Sequence, residues 1–313
     1  MANDDLLPPV IYLMGPTASG KTELAVQLAQ KINAEIISVD SALVYKGMDI
    51  GTAKPTLEQR QGIVHHLIDI LDPAESYSTG QFRQSALELM QDITHRGKIP
   101  ILTGGTMLYF NALINGLAEL PKAEPEIRKR LDIELVEKGK HAMHARLKSI
   151  DPESAIRIHP NDPQRVQRAL EVYEISGKPM TYFFKQAQRN TIPFKPLKII
   201  IAPEDRKLLH LKIAKRFKLM VEQGLIDEVS TLYNRGDLTL DLPSIRAVGY
   251  RQTWAYIEGE YDLDTMIEKG IIATRQLAKR QFTWLRREVD SLQFISSEKN
   301  LLEKVYNHLK HEV

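Results

Sequence analysis

The sequence predicts an α/β fold, a parallel sheet flanked by helices and interrupted by a helical insertion. Three observations predict it. An apolar run, a glycine-rich loop and an amphipathic helix follow one another directly near the start. Short apolar runs then alternate with helical stripes to about residue 120. Strand signals vanish from Pro121 to Lys195 and return at Leu197. The expected organisation is a core of residues 1–120 with 196–313, carrying a helical insertion domain over 121–195.

The first strand is Val10-Ile11-Tyr12-Leu13-Met14, apolar enough to be buried. It runs into Gly15, Pro16, Thr17, Ala18, Ser19, Gly20, Lys21 and Thr22, which fit the phosphate-binding pattern G-x-x-x-x-G-K-[ST]. Leu24 with Leu28, and Ala25 with Ala29, give the following helix its apolar stripe. A strand before the motif and a helix after it make the core P-loop NTPase-like. The loop's amides and the helix N-terminus favour an anion, Lys21 adds a cation, and the Thr22 hydroxyl can ligate Mg2+ carrying the phosphates. The motif does not say which molecule carries those phosphates.

Glu35-Ile36-Ile37-Ser38-Val39 reads as the second strand and delivers Asp40-Ser41 at its carboxyl end, the edge where ligands sit in open parallel sheets. Residues 42–55 form a glycine-punctuated polar loop, and His66-Leu67-Ile68-Asp69-Ile70 reads as a short strand. Ser78 or Thr79 caps a helix over about 80–95, with Phe82, Ala86, Leu89 and Ile93 as its apolar stripe. Ile99-Pro100-Ile101-Leu102-Thr103 is another buried strand, ending in Gly104-Gly105-Thr106 on the same ligand edge.

In residues 121–195, 15 Lys and Arg stand against 10 Asp and Glu, and prolines recur at helix-length intervals. The core resumes with Leu197-Lys198-Ile199-Ile200-Ile201-Ala202, then a helical pattern through Met220. The chain closes with a strand at Leu292-Gln293-Phe294-Ile295 and a helix from about Ser297. Before that lies a basic stretch: residues 270–287 hold five basic residues and no acid. On a helical wheel Leu277, Ala278, Trp284 and Leu285 share one arc. Arg275, Lys279 and Arg286 lie within about 40° of each other on another. That second face suits an anion, either a diphosphate or a nucleic-acid backbone.

Composition sets outer limits. Hydrophobic content of 43%, charged content of 26% and a net charge of +2 are ordinary for a globular protein, so any nucleic-acid surface must be local. The absence of cysteine excludes disulfides and thiolate metal sites. Residues 1–5 are acidic and the run behind them is broken by Pro8-Pro9, which fits neither a signal peptide nor a membrane span. A cytoplasmic enzyme, acting as a monomer and away from membranes, is expected.

Asp40 is the sharpest catalytic candidate, since a carboxylate beside a phosphate loop can act as a base or hold magnesium through water. No apolar strand ends in an acid of the Walker-B kind, which weakens an ATPase reading. His65-His66, His141 and His144 lack a third ligand partner. Tyr45, Tyr109 and Phe110 could stack on a base, though packing is their commoner fate.

These motifs in their order resemble the bacterial tRNA dimethylallyltransferases, the IPP transferase family. The resemblance rests on the 15–22 loop and Asp40-Ser41-Ala42-Leu43-Val44-Tyr45, then on Gly47-Met48-Asp49-Ile50-Gly51-Thr52-Ala53-Lys54-Pro55 and Gly104-Gly105-Thr106-Met107-Leu108-Tyr109. His159-Pro160-Asn161-Asp162-Pro163-Gln164-Arg165 and the basic stretches of 244–251 and 273–287 extend it. It implies transfer of a dimethylallyl group from dimethylallyl diphosphate to N6 of adenosine 37 in the anticodon stem-loop of tRNA. It also implies that the loop grips the donor diphosphate, with Mg2+ on Thr22, rather than ATP. Asp40, Thr106 and Lys21 become the implied catalytic residues. Implied tRNA contacts are Asp40, Ser41, Ala42, Leu43, Thr106, Arg128, Gln164, Arg165, Val166, Gln167, Arg168, Ile245, Arg246, Ala247, Val248, Gly249, Tyr250, Arg251, Lys279, Arg280, Gln281 and Arg286.

Two positions depart from the family: many members carry Gln at the place of Leu43 and a smaller residue at Met107. The lack of cysteine argues against the zinc finger of eukaryotic relatives. Three other readings stand beside this one. They are prenylation of free adenine nucleotides, a small-molecule kinase using the loop for ATP, and a non-catalytic RNA-binding module. The excess of basic residues in the insertion argues for a large polyanion over AMP, and the phosphate loop with Asp40 argues for catalysis.

Overall fold

The computed structural model describes residues 7–186 and 192–313; the acidic residues 1–5 lie outside them. The first half of the chain contributes β1 (Pro9–Met14), α1 (Lys21–Lys31), β2 (Ala34–Val39), α2 (Leu57–Arg60), β3 (His65–His66), α3 (Thr79–His95), β4 (Ile99–Gly104) and α4 (Met107–Asn115). Among the described residues four helices follow without a strand: α5 (Pro125–Ile150, broken at Gly139), α6 (Pro152–Arg157), α7 (Pro163–Ser176) and α8 (Met180–Gln186). The remainder is β5 (Lys195–Ala202), α9 (Arg206–Glu222), α10 (Leu225–Tyr233), α11 (Tyr250–Ile257), α12 (Leu263–Leu285), β6 (Ser291–Ile295) and α13 (Leu301–Leu309). The chain divides into two compact units, residues 1–113 with 192–313 and residues 114–191.

All six strands of the first unit pair in parallel, in the order β3-β2-β4-β1-β5-β6. The central strands read as unbroken apolar runs because helices cover both faces: all of β2 and all of β1 after Pro9 are buried. Ile11, Leu13, Ile36, Ile101, Ile199 and Ile201 pack with Leu28 of α1 and with Val305 and Leu309 of α13. A second cluster joins Val44, Tyr45 and Met48 to Phe217, Met220, Leu225, Tyr250, Trp254 and Met266. The second unit has its own core of Leu131, Met143, Leu147, Val166, Ala169, Leu170 and Val172.

Local chemistry explains where the elements differ from the sequence pattern. The strand expected over 66–70 is cut to His65–His66, because Leu67 (φ 60°) and Asp69 (φ 57°) adopt left-handed backbone that cannot continue a ladder. Asp69 instead pairs with Lys54. Ser78 is the cap of α3, in a reciprocal box with Gln81. Met90 rather than Leu89 completes its buried stripe. The last helix begins at Leu301, four residues later than expected, behind a left-handed Asn300. His66 serves Glu35 (Nε2 to Oε2 2.7 Å), and His144 sits against the carbonyls of Ala155 and Ile158. Tyr109 stacks on Phe82 with ring centroids 4.1 Å apart, and Phe110 packs on Tyr12, so neither is open to a base. Tyr45 is likewise buried. Among the described residues no helix is long and apolar enough to cross a membrane.

One contact fixes α9 against α12. A Cβ on Gly270 would fall 2.0 Å from Cζ of Phe217. Gly270→Ala is therefore expected to overpack this crossing and to destabilise the protein by about 1–3 kcal/mol. A thermal melt would read the loss as a fall of several degrees.

Candidate active site

The parallel register levels three strand ends. Met14 pairs with Gly104, and Gly104 pairs with Val39. The phosphate loop, Asp40 and the 104–106 turn therefore leave the sheet side by side. Thr106 stitches two of them: its N–H donates to the Val39 carbonyl (3.1 Å) and its Oγ1 accepts the Ser41 N–H (3.1 Å). Asp40 Oδ1 accepts the Ala42 N–H (2.9 Å), which closes a turn and leaves Oδ2 without a donor among the described residues.

The loop itself is curled by left-handed backbone at Ala18 (φ 61°) and at Gly20 (φ 86°), a conformation that glycine adopts without steric cost. Gly20 caps α1, and no side chain occupies the helix N-terminus. The Thr17 N–H is the exception, since it donates to Oε1 of Gln281 on α12 (2.9 Å). Gln281 Nε2 in turn donates to the carbonyl of Gly105 (2.9 Å). A Cβ on Gly105 would lie 2.2 Å from that nitrogen, so the close approach needs glycine. Gln281 is 6% exposed and both ends of its amide are taken. It braces the phosphate loop to the 104–106 turn while also lining two lobes of the cleft above them.

The cleft above these residues has three lobes, of about 100, 110 and 410 Å3, which share Asp40 and Leu277 as walls. The first holds Lys21, Thr22 and Thr52. The second is more apolar, with Ile213, Phe217, Met220 and Val248. The largest opens between Ser41, Thr106 and Leu108 on one side and Arg246, Arg280 and Trp284 on the other. Leu277 and Trp284 thus line the cleft, while Ala278 and Leu285 on the same arc are buried.

The cleft holds two cations that Asp40 attracts without forming an ion pair among the described residues. The half-buried Lys21 donates only to the Pro16 carbonyl (3.2 Å). Its desolvation pulls its pKa down from 10.5 to about 8, a fall that Asp40 opposes and Arg216 deepens. Arg216, on α9, makes no hydrogen bond or ion pair among the described residues, and burial lowers its pKa against the pull of Asp40. It borders both smaller lobes. The sequence pattern carried one signal for Arg216: it falls within the buried stripe of Leu209, Ile213, Phe217 and Met220, where a guanidinium needs a reason to be.

Among the described residues no group of three or more His, Asp or Glu side chains suits a metal ion. Thr22 is exposed at the head of α1, and its hydroxyl has no partner among the described residues. A single hydroxyl beside an anion site fits Mg2+, which keeps waters and takes phosphate oxygens rather than needing an all-protein cage.

The remaining sequence candidates separate by burial. Ser41, Arg246, Arg251, Lys279, Arg280 and Arg286 are exposed, and Ala42, Leu43, Ala247 and Val248 are partly so. Ile245 and Tyr250 lie in the core at 0% exposure, so neither side chain reaches the surface, and Gly249 is buried beside them. In the helical unit Gln164 and Arg165 are exposed in the first turn of α7, while Val166 belongs to its core. Arg128 and Arg168 pair with the buried Glu171, and Gln167 donates to Asp132 (2.7 Å) and to the Arg128 carbonyl (3.2 Å).

A model of the IPP transferase family matches residues 43–288. A tRNA dimethylallyltransferase of Methylococcus capsulatus is 57% identical over 285 residues, 91% of each chain. One from Nitrosococcus oceani is 52% identical over 97% of this chain and 96% of its own. Among solved structures, the tRNA isopentenylpyrophosphate transferase of Bacillus halodurans is similar with a TM-score of 0.72 and 37% identity, covering 97% of this chain and 96% of that one. A eukaryotic dimethylallyltransferase acting on tRNA has a TM-score of 0.81 at 29% identity, over 96% of this chain and 78% of its own.

Removal of the brace gives a direct check. Gln281→Ala strips the Thr17 amide and the Gly105 carbonyl of their partner, a loss of about 1–3 kcal/mol. The thermal melt should fall by several degrees, and inorganic diphosphate titrated calorimetrically should bind more weakly as the phosphate loop loses its brace.

Proposed function

This chain belongs to the IPP transferase family and is a tRNA prenyltransferase, and from that premise we propose how its cleft works. It transfers a dimethylallyl group from dimethylallyl diphosphate to N6 of adenosine 37, beside the anticodon, and releases diphosphate. It acts as a monomer in the cytoplasm. The observation that carries this reading is the level convergence of the phosphate loop, Asp40 and Thr106 on one cleft.

The exocyclic amine of adenine is a weak nucleophile, because its lone pair is delocalised into the ring. The transfer therefore needs help at both ends. At the donor, the curled amides of the 15–22 loop, Lys21 and Arg216 face the diphosphate. They stabilise the charge that grows as the bond from C1 of the donor to oxygen breaks and the electron pair leaves with the diphosphate. Thr22 would hold Mg2+ on that diphosphate, and the bound ion would neutralise further charge there. The apolar lobe formed by Ile213, Phe217, Met220 and Val248 takes the hydrocarbon.

At the acceptor, the bond from N6 to C1 forms and the N6 proton passes to the free Oδ2 of Asp40. Thr106 Oγ1 already accepts the Ser41 amide, so its hydroxyl hydrogen is free to orient an incoming atom. The target base enters by the wide lobe, turned out of its stack. The exposed Arg246, Arg251, Lys279, Arg280 and Arg286, with Gln164 and Arg165 of the helical unit, contact RNA phosphates and neighbouring nucleotides.

Labelled dimethylallyl diphosphate offered with tRNA and with AMP tests the reading: label should enter the RNA, and preference for AMP would defeat it. Asp40→Ala should collapse turnover while tRNA affinity stays within about threefold, because only the proton acceptor is lost. The Lys21 shift gives a pH dependence. Free Lys21 is protonated below about pH 8 and loses its charge above that value. KM for the donor should therefore climb as pH rises through about 8. The kcat at saturating donor should hold to higher pH, since bound diphosphate favours the ammonium.

A further inference from the structure

Residues 49–52 form one wall of the cleft without belonging to any helix or strand, with Gly51 and Thr52 lining it. Such a wall needs an outside restraint to keep its place. Glu228, on α10, supplies it. Its Oε2 accepts the N–H groups of Asp49 (2.9 Å) and Ile50 (2.7 Å), and its Oε1 accepts the Gly51 N–H (3.1 Å) and the Tyr250 hydroxyl (2.5 Å). Three successive amides thus close on one carboxylate, a nest filled by a side chain from another helix. Tyr250 opens α11 directly behind Ala247 and Val248, which form the opposite wall. Its ring lies where a side chain at residue 51 would be, with Cε2 2.5 Å from an ideal Cβ on Gly51.

One carboxylate therefore ties both walls together. We infer that Glu228 is a positioning residue for the transfer: it fixes the spacing between the 49–52 wall and the 247–250 wall, and so holds donor and base in line. Lys54 completes the clamp from the far side of the loop, with Nζ donating to the Tyr45 carbonyl (2.9 Å), to Asp49 Oδ1 (2.6 Å) and to Asp69. Neither Glu228 nor Lys54 lines the cleft. The role rests on the cleft beside Asp40 being the place of reaction.

Glu228→Gln tests this with little change in volume. The amide has one acceptor oxygen, and its NH2 would face either the 49 and 50 amides or the Gly51 amide and the Tyr250 hydroxyl, donor against donor. Tyr250→Phe removes only the hydroxyl tie and keeps the ring. Steady-state kinetics, a thermal melt and titration with inorganic diphosphate would be run on both, beside Asp40→Ala. The expected result for Glu228→Gln is a loss of kcat of about 10- to 100-fold, as misplacement of about an ångström produces. Its melting temperature should stay within a few degrees and its diphosphate affinity within a few-fold. Tyr250→Phe should show the same pattern, weaker. Near-normal kcat in both variants would overturn the role. So would losses in both that run parallel with lost diphosphate binding and a collapsed melt, which mark a merely structural residue. If Glu228→Gln fails to fold, Tyr250→Phe decides. A dead Asp40→Ala beside an active Glu228→Gln sinks only this inference, whereas an active Asp40→Ala sinks the reading of the cleft itself.

Discussion

The site depends first on strand register. In a parallel sheet every strand ends on the same edge, but the ends need not be level. Here Met14, Gly104 and Val39 stand abreast. Three short motifs, distant in sequence, therefore emerge within reach of one another. A slip of one residue in β2 or β4 would turn each strand over and withdraw Asp40 or Thr106 from the cleft. The apolar faces of β1, β2 and β4, buried under helices on both sides, set that register. Catalytic geometry is thus a by-product of core packing.

The second constraint is electrostatic. Lys21 and Arg216 stand in a partly buried cleft with no ion pair among the described residues, and Asp40 spends one oxygen on a backbone amide. Unpaired cations that resist burial are costly in the free protein, and that cost is relieved by an anionic ligand. Lys21 stands on α1 and Arg216 on α9, so the packing of those helices keeps both cations at the cleft. Gln281 holds the phosphate loop to the 104–106 turn, and Glu228 and Lys54 hold the 49–52 wall from two sides. These restraints lower the ordering that binding would otherwise have to supply.

Much of this was legible in the sequence. The phosphate loop, Asp40 and the 104–106 turn are short, contiguous motifs whose residues act where they stand, and period-2 and period-3.6 patterns located most of the elements. The places where the reading failed share a physical cause. Residues 67–69 have an apolar strand composition, but left-handed backbone at Leu67 and Asp69 ends the ladder, and side-chain identity does not encode that. Ile245 and Tyr250 belong to a stretch that resembles an RNA contact, yet they are the buried half of it: a motif holds its anchor residues as well as its working ones. Val166 fails for the same reason.

The residues whose structural roles sequence reasoning missed are polar groups on the inner faces of late helices, Arg216 on α9, Glu228 on α10 and Gln281 on α12. Each looks like a flaw in an amphipathic stripe when its helix is read alone. Each makes sense only against a backbone group or ligand delivered by the first hundred residues. The phosphate loop and Asp40 could be recognised locally because their partners are a ligand or their own neighbours. Gln281 meets Thr17 across 264 positions and Glu228 meets Ile50 across 178, and no local pattern can carry information about such a pairing. A polar side chain interrupting an otherwise apolar helical stripe, in a chain that carries a ligand-binding loop elsewhere, is therefore a signal in its own right. The cost of burying it implies a partner, and the strongest unmet donors and acceptors in such a fold lie at the carboxyl edge of the sheet.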